Sequence, residues 1–119
     1  MEEEISYRVE ITPEAEIFFE ELLKYLYKTH SENSAKKKLS EIIELAFSLT
    51  QNLHQGSQEE SLLYLGKDHQ YLVYFVTKRK TVKIIYFVNE VNKTVYITDF
   101  FRTLMLPDKI KKRNLDNLH

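Results

Sequence analysis

Between Tyr71 and Phe101 the chain carries three consecutive runs, YLVYFV, TVKIIYFV and TVYITDFF, separated only by TKRK and NEVNK. Each run is dense in β-branched and aromatic residues, the types that suit a pleated, half-buried surface. Connections this short force neighbouring strands to run antiparallel, so the segment predicts a β-meander. Ahead of it, Ile5, Tyr7, Val9 and Ile11 alternate with Ser6, Arg8 and Glu10, the period of a strand with one wet face.

Thr12-Pro13-Glu14 reads as a helix start. Thr12 stands at the N-cap, Pro13 at the first helical position, and Glu14 and Glu16 lie at the positive end of the dipole. Ala15, Phe18, Phe19, Leu22, Leu23 and Leu26 then recur at helical spacing to about Lys28. His30 to Ser34 reads as a break, and a second stripe follows through Ala35, Leu39, Ile42, Ile43, Ala46, Phe47, Leu49 and Leu53. Two helices joined by so few residues form a hairpin. Gln51 to Glu60 is polar and reads as a loop, and Leu62 to Leu65 as a short strand or turn. The expected class is α+β in the order β-α-α-β-β-β, with one further short strand open, the helix hairpin packed on a twisted antiparallel sheet. One domain is expected, its core over about 5–106, with a charged tail at 107–119 broken by Pro107.

Composition narrows the function classes. There is no cysteine, so neither a disulfide framework nor a thiolate metal site is available. No apolar run approaches a membrane span and the acidic N-terminus lacks a signal pattern, so a soluble, cytoplasmic protein without membrane attachment is expected. Net charge is −1, but it is unevenly spread: residues 1–62 hold 6 Lys/Arg against 13 Asp/Glu, and residues 63–119 hold 11 against 5. The sheet half is basic. Either its lysines protect exposed strands or the sheet faces an anion.

Four cations carry that question. Lys78, Arg79 and Lys80 sit in the hairpin tip and Lys83 on the next strand, a spacing suited to phosphate contacts and equally to solubility. Lys83 stands inside an apolar strand, where a charge must find water, a partner or a ligand. Asp99 lies near Arg102 in a second apolar context and reads first as its ion-pair partner. His30, His54, His69 and His119 are scattered without metal-ligand spacing. His69, the one nearest the basic hairpin, reads first as solvated and second as a proton carrier. Tyr71, Tyr74, Tyr86 and Tyr96 fall on strands, and alternation puts only some of them on an open face where they can stack bases. No phosphate-binding glycine loop is present, and no cofactor or metal is implied.

The order strand, helix hairpin, meander, together with YRVEITPEAEIFFEELLKYL, VKIIYFVNEVNKTVYI and DFFRTLMLP, resembles the RelE/ParE superfamily of toxins from type II toxin-antitoxin systems, the plasmid-stabilization toxins, over roughly Ser6 to Ile110. The resemblance implies a toxin with a cognate antitoxin as partner, and it leaves a homodimer open. Members of that superfamily either cleave messenger RNA on the ribosome or poison DNA gyrase without nuclease chemistry. In the nuclease branch, cations hold the phosphate and an acid or base moves the proton, roles that would fall here to Lys83, Arg102 and His69, with Lys78, Arg79 and Lys80 positioning RNA. This chain departs from the nuclease pattern. It has Lys83 where an arginine is usual, which keeps the charge but loses the bidentate fork, and Arg102, Leu104 and Met105 where a His and Arg pair is often found. Three readings stand: a binding toxin of gyrase type or similar, a ribosome-dependent endoribonuclease, and an inactive relic that only binds antitoxin.

Overall fold

The computed structural model describes residues 7–53 and 55–103. The expected strand positions Ile5 and Ser6, the loop residue His54, and the tail 107–119 with Leu104 and Met105 before it lie outside the described residues.

Strand β1 (Arg8–Ile11) leads directly into α1 (Pro13–Thr29). The cap is the one the sequence predicts: the Thr12 hydroxyl accepts a hydrogen bond from the Ala15 N–H at 3.2 Å. Helix α2 spans Glu32–Phe47, earlier than its apolar stripe suggested. Ser31 is the reason, because its hydroxyl accepts from the Ser34 N–H at 3.2 Å and turns what reads as a polar break into a helix start. A 3-10 turn, Ser48–Thr50, closes this helix, so Leu53 packs against the core from a loop. The chain then forms a two-residue strand β2 (Ser57–Gln58), a 3-10 helix over Glu60–Leu65, and the meander β3 (Gln70–Phe75), β4 (Thr81–Asn89) and β5 (Thr94–Arg102). The stretch Leu62 to Leu65 is thus helical rather than a strand.

The sheet has five strands in the order β1-β5-β4-β3-β2. The meander pairs are antiparallel as expected, but β1 pairs with β5 in parallel, Arg8 opposite Thr94 and Ile11 opposite Ile97. The sheet is therefore mixed and not antiparallel throughout. The physical cause is an odd extra pass: two antiparallel helices return the chain to the end at which β1 finished, β2 carries it back across, and three alternating meander strands then leave β5 running in the direction of β1.

One face of the sheet receives both helices. Leu22 and Leu26 of α1 and Leu39 and Ile42 of α2 are buried with Val82, Ile84, Tyr86, Val95, Ile97 and Phe100 of the sheet. Each such side chain contributes roughly 1.5–3 kcal/mol relative to exposure. Phe19 of α1 meets Phe100 of β5 with ring centres 5.0 Å apart. A bulge interrupts β4 and β5: Ile85 opposes Asp99 and Tyr86 opposes Ile97, leaving Thr98 as the extra residue. The opposite face carries a smaller apolar cluster, in which Leu62 from the 3-10 helix covers Ile85 and Phe101 with Leu65 and Tyr71 at its margin.

Candidate functional site

The face without helices is where the sequence places Lys83, and there the chain covers it. Its ammonium lies 2.9 Å from Glu59 Oε1 and 4.3 Å from the centre of the Tyr71 ring. Glu59 is only 4% exposed, and its other oxygen accepts a hydrogen bond from the Ser61 hydroxyl at 2.7 Å. Burial alone would raise the Glu59 carboxyl, but the hydrogen bonds from Lys83 and Ser61 outweigh it and hold the pKa below the ordinary carboxylate value. Lys83 thus found a protein partner. Glu59 was not legible as that partner, because it sits in a polar stretch with the composition of a solvated loop.

Arg102 does not join it. Lys83 opposes Phe101 across the β4–β5 ladder, whereas Arg102 opposes Val82, and successive strand residues point to opposite faces. The Arg102 guanidinium carbon lies on the helix side, 3.9 Å from the centre of the Tyr25 ring of α1. The expected Asp99–Arg102 ion pair is not made for the same reason, since Asp99 is buried on the face that carries Ile85 and Phe101. Arg102 instead shares a shallow depression with Lys80, Thr81 and Tyr25. Lys78, Arg79 and Lys80 are exposed at the hairpin tip, where the backbone N–H groups of Arg79 and Lys80 donate to the Thr77 hydroxyl.

His69 is not solvated, contrary to the first reading of it. It is 2% exposed and packs edge-on against Phe87 with ring centres 5.1 Å apart. Its Nδ1 has no hydrogen-bond partner among the described residues. Burial, assisted by the charge of Lys67 and partly opposed by Asp68 and Glu59, lowers its pKa to about 4. The imidazole is neutral at physiological pH, and His69 stands just before the β3–β4 ladder, four positions from Val73, the residue opposite Lys83. The three residues assigned to nuclease chemistry are therefore not assembled: one cation is neutralised, one faces the helices, and the imidazole is buried against Phe87.

Neutral burial of His69 has a measurable consequence. Its folded pKa lies below its unfolded value, so the unfolded chain takes up the proton first and stability falls as pH drops from about 6.5 towards 4. We expect a loss on the order of 2–3 kcal/mol across that window from this group. Urea unfolding at several pH values checks it, with His69→Leu flattening the slope between pH 6.5 and 4; an unchanged slope in the variant would mean that the imidazole titrates as in the unfolded chain.

Among the described residues a cleft of about 410 Å³ opens at the far end of the sheet, lined among others by Glu10, Lys67, Phe87, Asn89 and Tyr96. Phe87 and Tyr96 form its apolar wall, their ring centres 5.4 Å apart, and the Lys67 ammonium lies 4.8 Å over Phe87. Of the strand tyrosines, Tyr71 and Tyr96 face this side, while Tyr74 and Tyr86 face the helices. The cleft combines one cation, one carboxylate, one amide and two rings, a set suited to binding and without a nucleophile-base pair. Glu10, Lys67 and Asn89 carry no signal in the sequence, because only the pairing of β1 with β5 brings them together. Among the described residues no group of three or more His, Cys, Asp or Glu side chains is placed to hold a metal ion, and no helix is long and apolar enough to cross a membrane. In comparisons with known proteins, no family model matches the chain and no curated protein matches it.

Proposed function

We propose that the chain is the toxin component of a type II toxin-antitoxin system, similar to the RelE/ParE superfamily, and that it arrests growth by binding a cytoplasmic target such as DNA gyrase rather than by cutting RNA. The family part of this reading rests on the residues quoted above and is supported by the element order strand, helix hairpin, meander. The mechanistic part rests on one observation: Lys83 and Arg102 point to opposite faces of the sheet, Lys83 already holding Glu59. Cleavage at a 2′-hydroxyl needs charge converging on one phosphate, and a pair of cations separated by the thickness of a sheet does not supply it. The exposed Lys78, Arg79 and Lys80, with Arg102 behind them, suit a binding contact with an acidic surface. A cognate antitoxin belongs to this reading; the exposed apolar side chains Ile17 of α1 and Phe47 at the end of α2 are of the kind that an amphipathic partner helix covers.

Induction of the chain alone in a bacterial host tests the proposal. Growth should stop, primer extension should find messages uncut at the ribosome, and the purified protein should inhibit gyrase supercoiling or another target's activity without degrading RNA. Ribosome-dependent cuts would replace this reading with the endoribonuclease, and normal growth at full expression would leave a relic that binds antitoxin.

A further inference from the structure

The two edges of the sheet are treated differently. At one edge, β1 is four residues long and places Arg8 and Glu10 on the open face, the usual protection of an edge against unwanted pairing. At the other, β2 covers only Gln70 and Tyr71, so the outer side of β3 from Val73 to Phe75 has no neighbouring strand among the described residues. The ladder fixes which groups point there. Val76 donates to the Lys80 carbonyl and Ser57 pairs with Tyr71, so by alternation Tyr74 and Leu72 bond inward to β4, while the N–H and C=O of Val73 and Phe75 point outward. The side chains at these two positions are apolar and exposed, 39% for Val73 and 65% for Phe75. An apolar edge with four backbone groups that meet no other strand among the described residues is a template for another strand.

We infer that β3 pairs with β3 of a second copy of this chain, antiparallel about a two-fold axis at Tyr74, to give a continuous sheet across a homodimer. The symmetry is what selects this occupant. With Tyr74 on the axis, Val73 of each copy stands opposite Phe75 of the other, so all four outward groups are paired at once and each exposed valine meets an exposed phenylalanine. Charge agrees with it. The same register brings the cationic tip Lys78-Arg79-Lys80 of one copy end-on to the short strand of the other, where Ser57 already pairs with Tyr71 and exposed Glu60 and Asp68 lie close along the chain. Two-fold symmetry repeats that match at both ends.

Light scattering on the purified full-length chain tests this directly, and a mass of twice 14.3 kDa is expected. Phe75→Lys should weaken association on the order of a hundredfold, because the symmetry removes each lost contact twice. The chain has no cysteine, so Tyr74→Cys offers a second readout that does not depend on how Phe75→Lys folds. Residues facing each other across a non-hydrogen-bonded antiparallel pair have Cα atoms about 4.5 Å apart, within disulfide reach. Mild oxidation should convert Tyr74→Cys into a covalent dimer well ahead of the exposed control Ser57→Cys. A monomer at every accessible concentration would overturn the inference, as would a dimer that survives Phe75→Lys or cross-links no faster at Tyr74→Cys than at the control.

Discussion

Lys83→Ala should destabilise the fold by about 3 kcal/mol at neutral pH, more than a surface ion pair is worth, because it strands the Glu59 carboxylate where water scarcely reaches. The pair is asymmetric. The Lys83 side chain keeps 25% of its surface in solvent and the Glu59 side chain only 6%, so the two single replacements are not equivalent. Removing Glu59 leaves a lysine that can turn to water over Tyr71, at a cost of roughly 1 kcal/mol. Removing Lys83 leaves burial as the dominant influence on Glu59, so its carboxyl rises above the ordinary range and takes up a proton. The sign of the pH dependence then reverses. In the parent, a lowered folded pKa makes this group stabilising above the unfolded carboxyl value, with the benefit lost as pH falls through the folded one; in Lys83→Ala, the raised folded pKa makes acidification recover stability. Urea unfolding at pH 7 and pH 5 measures both effects, and Lys83→Ala combined with Glu59→Gln should regain much of the loss. A single variant within about 0.5 kcal/mol of the parent would show the pair to be an ordinary solvated contact.

Gly56→Ala should cost about as much, roughly 3 kcal/mol, through overpacking. A methyl group built at Gly56 would lie 2.2 Å from the Tyr86 hydroxyl and 2.9 Å from the Tyr71 carbonyl oxygen. Neither can yield easily. Tyr86 is fully buried, its hydroxyl within 3.0 Å of Gln70 Oε1 and 3.2 Å of the Leu53 carbonyl, and the other contact is strand backbone. Thermal melts of Gly56→Ala and Gly66→Ala separate space from backbone freedom, since nothing lies within 4 Å of a methyl at Gly66, whose φ of +72° makes conformational strain its only penalty. The Gly56 variant should lose more. Pairing Gly56→Ala with Tyr86→Phe, which removes the clashing oxygen, should cost less than the two changes summed.

The elements that local sequence controls were legible. Val, Ile, Tyr and Phe wrote the meander, and Thr12-Pro13 wrote the start of α1, because propensity and capping act within a few residues. Apart from the cap at Ser31, which acts only three residues away, the misses share a cause in distance along the chain. Ser31 looked like a loop residue until its hydroxyl was seen to cap α2, and the parallel β1–β5 pair is invisible to any window. The candidate site suffered most. Lys83 reads from the sequence as a charge in need of a partner, but Glu59, 24 residues earlier, carries no sign of burial. His69 likewise gives no hint that it is buried against Phe87, and the one-residue offset between Phe101 and Arg102 decides by strand alternation that the cations separate.

The parallel pairing also bears on how this chain is made. Arg8 and its partner Thr94 are 86 residues apart, and the rings that seat α1 include Phe100, so the first strand and helix wait without a floor until nearly everything described has left the ribosome. Closure over such a separation is entropically slow. During biosynthesis, then, the apolar stripe of α1 stays uncovered until β5 emerges, an interval in which a chaperone or a freshly made companion polypeptide can reach it first.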